Sequence, residues 1–131
     1  MKKSGILNQP ISAIVAGLGH TDTVVVADAG LPIPAGPQRI DLALKQGVPT
    51  FLDTLNVVLS EMQIEKVIIA DEMIHVSPDL YRQVKEIIGD VPVEFYTHVI
   101  FKEMTARAKA VIRTGDFIPY ANIILVAGVV F

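Results

Sequence analysis

The sequence predicts an α/β domain, and three observations carry that expectation. Short apolar runs at Val24–Ala27, Lys66–Ala70, Val93–Thr97, Ala110–Arg113 and Ile123–Val130 have the length of buried strands. Longer amphipathic stretches lie between several of them. Glycine, proline, serine and threonine stand where these stretches should start or stop. Strands alternating with helices give a single domain over residues 1–131 with a largely parallel central sheet flanked by helices.

Each element follows from local chemistry. Asn8–Leu18 carries Ile11, Ile14, Val15 and Leu18 at helical spacing, with Asn8 as cap and Gly17 or Gly19 as stop. Ala29–Gln38 holds three prolines and two glycines and reads as an irregular loop. Asp41–Gln46 is expected to be a short helix ended by Gly47. Thr50–Glu61 reads as a helix with Phe51, Leu55, Val58 and Leu59 inward. Ser77-Pro78 is a strong helix start, serine as cap and proline at the first position, and that helix ends near Gly89. A last helix is expected over Val99–Ala108, and a turn at Thr114-Gly115-Asp116.

Composition excludes several functions. The chain has 131 residues, 51% of them hydrophobic, and a mean hydropathy of +0.49. The longest apolar run, Ile123–Phe131, is far shorter than the roughly 20 residues a membrane span needs, so no membrane insertion is expected. The apolar excess points instead to a subunit interface and a homo-oligomer. A net charge of −3 without a lysine or arginine cluster argues against nucleic acid as a partner. The absence of cysteine excludes disulfides, thiolate metal sites and cysteine nucleophiles. No apolar signal core follows Lys2-Lys3, so a cytoplasmic location is expected.

The candidate chemistry starts with Leu18-Gly19-His20-Thr21-Asp22. This block sets a histidine in a glycine-flanked bend, where it can give and take protons near neutral pH. It could equally be a helix C-cap histidine. Asp28 follows at the end of a short strand, where α/β sheets bind ligands; an aspartate turn before Gly30 is the plainer reading. A four- to five-residue strand is about 13–16 Å long, so His20 and Asp28 cannot touch across it. Either the chain from Gly19 to Thr23 folds back, or the two meet across a subunit boundary, or each touches a different part of one ligand.

His98 stands at another strand–helix junction, with Lys102 four residues on and on the same helical face. Tyr120 and Asn122 flank Ala121 before the last strand. A tyrosine ring can cover the apolar face of a sugar, and an asparagine amide can bridge adjacent hydroxyls. Glu72 and His75 have the spacing of half a di-iron site, but only one copy exists, so no metal is expected. Gly17-Leu18-Gly19 lacks the third glycine of a dinucleotide fingerprint and follows a helix rather than a strand.

With these blocks in view, the sequence resembles the ribose pyranase and fucose mutarotase family. The resemblance lies in Lys2-Lys3 with Ile6-Leu7-Asn8, in Leu18-Gly19-His20-Thr21-Asp22, and in Asp28-Ala29-Gly30-Leu31-Pro32. Gly47-Val48-Pro49 and Pro119-Tyr120-Ala121-Asn122-Ile123-Ile124-Leu125 extend it from end to end. The ribose branch fits best. The resemblance implies an enzyme without a cofactor that interconverts ring forms of a free monosaccharide. For D-ribose this means β-pyranose to furanose, the form ribokinase uses. It implies His20 as proton donor and Asp28, His98, Tyr120, Ala121 and Asn122 as substrate-binding positions. It also implies rings of subunits, for this branch a decamer of two stacked pentamers. Asp28 is expected to bias His20 toward its charged form. Two rivals remain open at this point: a non-catalytic sugar-binding accessory protein of ribose transport, and a fucose-type mutarotase.

Overall fold

Six strands form one sheet in the order β2-β5-β1-β6-β3-β4, and helices cover its two faces unequally. The structure is a computed structural model describing residues 1–131. In chain order the elements are α1 (Gln9–Gly17), β1 (Thr23–Ala27), β2 (Gln38–Asp41), α2 (Phe51–Leu59) and β3 (Ile64–Ala70). They continue with α3 (Asp71–Val76), α4 (Pro78–Ile88), β4 (Val93–Tyr96), α5 (His98–Met104), β5 (Ala110–Arg113) and β6 (Ile123–Ala127). A single 3₁₀ turn, Thr105–Arg107, follows α5. No helix is long and apolar enough to cross a membrane.

The sheet is largely parallel, five strands running one way, and β6 makes it mixed. β1 pairs parallel with β5, β5 with β2, and β3 with β4. β6 runs antiparallel to both of its neighbours, β1 and β3. Only residues 114–122 separate β5 from β6. A parallel crossover takes a dozen or more residues, commonly with a helix, so so short a link returns the chain antiparallel. This reversal has a functional consequence: it lays the start of β6 beside the end of β1.

The central strands are apolar on both sides because both faces are covered. Val24, Val26, Val67, Ile69, Ile112, Ile123 and Leu125 face α1, α2 and α4, meeting Ile11, Phe51, Leu55, Val58, Leu80, Val84 and Ile88. Val25, Ala27, Ile68, Ala70, Val111, Ile124 and Val126 form a smaller core with Leu31 and Phe101. Only α5 and the loop after β1 cover that second face, and Val99 and Ile100 of α5 stay exposed.

Several local expectations change. Asp41–Gln46 is not a helix: Gln38–Asp41 is edge strand β2, where Ile40 alone is buried, and irregular chain follows it. α3 is additional, a six-residue helix entered directly from β3 without a side-chain cap. Asn8 and Thr50 cap α1 and α2 through their side chains. Ser77 holds the cap position of α4 but donates its hydroxyl to the Pro119 carbonyl at 2.7 Å. That bond ties α4 to the segment that carries Tyr120.

Candidate active site at the strand ends

Three chain segments converge at one end of the sheet's strands. Asp28 follows the last residue of β1, β6 begins after Asn122, and β4 delivers the chain to His98 at the first position of α5. They line a cavity of about 490 Å³ together with Gly30, Leu31, Pro32, Lys102, Pro119 and Tyr120. The position is the one expected for a ligand site outside the carboxyl ends of parallel strands.

Asp28 and Asn122 are locked to each other. The Asn122 amide Nδ2 donates to Asp28 Oδ2 at 2.9 Å, and the Asp28 backbone N–H donates to Asn122 Oδ1 at 2.9 Å. Gly30 N–H donates to the other carboxylate oxygen, Oδ1, at 2.9 Å. Asn122 is buried, so its partners fix both its place and the orientation of its amide.

Tyr120 adopts a left-handed backbone, φ 61°. A bulky residue there is strained, and such outliers gather at ligand sites. The Tyr120 carbonyl accepts from Asn122 N–H at 2.8 Å, and its ring stands edge-on to the His98 ring at 5.0 Å between centroids. Ala121 between them is fully buried in the core and does not line the cavity. Of the segment, Tyr120 and Asn122 therefore present side chains and Ala121 spaces them.

His98 is held from behind. The Glu72 carboxylate accepts its backbone N–H, at 2.8 Å to Oε2 and 3.2 Å to Oε1. Its Nδ1 is buried and without a partner. Burial pushes its pKa below the ordinary 6.5, and the nearby Lys102 ammonium lowers it further, against the opposing pull of Glu72 and Asp28. The ring is therefore neutral near pH 7. A neutral imidazole offers one ring nitrogen as hydrogen-bond donor and the other as acceptor.

His20 lies elsewhere. It precedes β1, whereas Asp28 follows it, and five strand residues, about 17 Å, separate the two ends. The Gly19–Asp22 turn does not fold back along the strand. The carboxylate beside His20 is Glu65 of β3, with Nε2 to Oε2 at 2.8 Å, both side chains about half exposed. The expectation that Asp28 biases His20 fails within one chain for this reason.

Sequence reasoning missed Glu65, and it weighed Glu72 only as a metal ligand beside His75, not as the acceptor of the His98 N–H. Glu72 could have been found by applying the strand-end rule to Asp71-Glu72 after Ala70. Glu65 carried no such signal, because its pairing with His20 spans 45 positions. A second depression of about 390 Å³ is lined by Ile68, Ile100, Met104 and Ile124 with Thr23, Glu103 and Arg107.

An imidazole, a tethered carboxylate, a buried amide and a phenol around one small cavity are groups able to hydrogen-bond adjacent hydroxyls of a small ligand. The family follows from comparison. Residues 1–130 match the RbsD / FucU transport protein family, and the chain belongs to it. It is 53% identical over 131 residues, the whole of both chains, to a D-ribose pyranase of Clostridium botulinum. Its fold superposes on Bacillus subtilis RbsD complexed with D-ribose, with a TM-score of 0.97 and 50% identity over all of both chains. A fucose mutarotase from Streptococcus pneumoniae, solved with L-fucose, shares the fold at a TM-score of 0.79 and 24% identity over 95% of each chain.

Proposed function

We propose that this protein is a cofactor-independent isomerase that interconverts the β-pyranose and β-furanose forms of D-ribose, supplying furanose to a ribokinase. The observation that carries the reading is the meeting of Asp28, His98, Tyr120 and Asn122 around one cavity. Full-length identity to proteins named D-ribose pyranase supports it, as does likeness to a structure holding D-ribose.

Opening the pyranose takes one proton to the ring oxygen and one from the anomeric hydroxyl. The C1 aldehyde then turns about its backbone, and the 4-hydroxyl adds to it, losing its proton as the new anomeric oxygen gains one. No net proton or electron is consumed. His20 is the acid of opening and the base of reclosure. Asp28 accepts a sugar hydroxyl, neutral His98 hydrogen-bonds another, and Tyr120 and Asn122 hold the sugar while the open chain turns.

His20 reaches this cavity from a neighbouring copy. Its distance from Asp28 along β1 and its exposed turn support that reading. So do the exposed apolar side chains of Val99, Ile100, Phe117 and Phe131, which favour association. The assembly is a homo-oligomer, a decamer of two pentameric rings, acting in the cytoplasm, with residues 1–131 as one domain and no metal or other cofactor.

Two-dimensional exchange NMR on the anomeric protons of D-ribose tests the reaction. Pyranose–furanose cross-peaks that build up faster with catalytic protein, and lose that gain in His20→Ala, are expected. Membership of a transport protein family favours one second reading, a sugar-binding accessory protein. Ribose binding with unchanged exchange would decide for it. Faster exchange with L-fucose than with D-ribose would decide for a fucose-type mutarotase.

A further inference from the structure

The turn that carries His20 is fixed more firmly than an exposed bend requires. Thr21 has φ 69°, an outlier for a β-branched residue. Its N–H donates to the Ala127 carbonyl at 2.9 Å, and Ala127 N–H donates to the Asp22 carbonyl at 2.8 Å. The Asp22 carboxylate accepts Gly19 N–H at 2.8 Å and lies 3.7 Å from the Lys109 ammonium. Across the sheet, the register of β3 on β6 shifts between Ile64 and Lys66, which leaves Glu65 at the irregularity. Such bulges re-aim a side chain. Gly128 packs against this point: a Cβ there would come within 3.1 Å of Glu65 Cβ and 3.2 Å of Glu65 N, so only glycine fits without a shift. The outcome is the 2.8 Å contact between Glu65 Oε2 and His20 Nε2.

A half-exposed histidine–carboxylate pair adds little to stability, so stability does not account for a turn outlier, a bulge and a glycine arranged around it. We propose that Glu65 is the positioning residue of His20. It holds the ring through Nε2, which fixes the orientation and the tautomer and leaves Nδ1 as the nitrogen that exchanges a proton with the sugar. This is the job a carboxylate does for histidine in hydrolase triads, reached here on a different fold. The inference rests on the reading of His20 as the acid–base group, and it extends that group to a pair carried by one subunit.

The test compares wild type, Glu65→Gln, Glu65→Ala and His20→Ala by ribose exchange NMR at several sugar concentrations. Glu65→Ala is expected to lose about tenfold to hundredfold in kcat, less than or comparable to the about 10²–10⁴-fold that an acid–base group supplies, with KM within about twofold. Glu65→Gln keeps an oxygen that accepts from Nε2–H and should recover part of the loss. A Glu65→Ala enzyme at the wild-type rate, or one whose loss lies wholly in KM, overturns the proposal. A second readout is independent of turnover: the His20 Nε2–H resonance should be protected from solvent exchange in wild type and lose that protection in Glu65→Ala. An unchanged resonance also overturns it. Wild type without any acceleration would sink the isomerase reading itself, a result distinct from an active wild type matched by Glu65→Ala.

Discussion

Asn122 and Asp28 exchange two hydrogen bonds, amide to carboxylate and backbone N–H to amide oxygen, each 2.9 Å long. The pair exists because β6 returns antiparallel beside β1, with Val26 opposite Ile123 in register. The end of one strand and the approach to the other then lie side by side. A residue 94 positions away in sequence thereby fixes the carboxylate that faces the cavity.

Asn122→Ala removes both bonds and leaves the Asp28 N–H without its partner. The expected cost is about 1–3 kcal/mol of stability, with a KM for ribose raised about tenfold as the carboxylate loses its fixed orientation. Asn122→Asp should be worse near neutral pH, because two carboxylates would face each other and one must take up a proton. Activity of the aspartate variant should recover in part as pH falls. Thermal unfolding and exchange NMR measure the two effects, and unchanged KM in both variants would remove Asn122 from the site.

The depressed pKa of His98 sets a direction of pH dependence. In the unfolded chain the ring takes a proton as pH falls through its ordinary 6.5; in the fold, burial and Lys102 delay this to lower pH. Between those two points the unfolded state binds more protons, so stability falls as pH falls, and above 6.5 the effect vanishes. His98→Gln should flatten that part of the curve. Lys102→Met should move the His98 NMR titration upward, and a downward shift would contradict the assignment of Lys102 as a cause.

Much of the fold is legible in the sequence where burial leaves a period. Leu55 and Val58 declare α2, and Leu80, Val84 and Ile88 declare α4. The triplet Val24-Val25-Val26 declares a strand covered on both faces. β2 was not legible because an edge strand with one buried residue in four shows no alternation. α3 is shorter than two helical turns, and Ala70 at its cap position has no capping side chain. The site was half legible. Asp28, His98, Tyr120 and Asn122 stand at strand ends, where rules of α/β folds apply. Glu65 and Glu72 act through contacts made only once β3 lies beside β6 and α3 beside α5. Ser77 shows the same limit in reverse: the capping residue is right, but tertiary structure claims its hydroxyl for Pro119.

Asp116 is the buried support of the Tyr120 segment. Its carboxylate accepts Phe51 N–H at the start of α2, at 2.9 Å, and Ile118 N–H at 2.8 Å. Asp116→Ala strands both donors and should cost about 3 kcal/mol. At fixed protein concentration this corresponds to a Tm lower by roughly 10 °C. Asp116→Asn keeps one acceptor oxygen and should lose about half as much. Equal Tm values for wild type and Asp116→Ala would show that the Asp116 carboxylate does not support the segment.

Whether each site is shared between copies can be read by complementation. His20→Ala lacks the acid–base group but keeps an intact cavity, and Asp28→Ala has the reverse defect. If His20 and Asp28 of one site come from different subunits, co-expression in equal amounts produces some sites with both residues intact. With random assembly of two variants in a closed ring, about one site in four is complete. Exchange activity of the mixture should then rise to about a quarter of wild type, from two inactive parents. If both residues of a site came from one chain, every site in the mixture would carry one defect or the other. Activity would then stay at the parental level whatever the ratio of subunits, and the cavity would have to find its proton donor within its own chain.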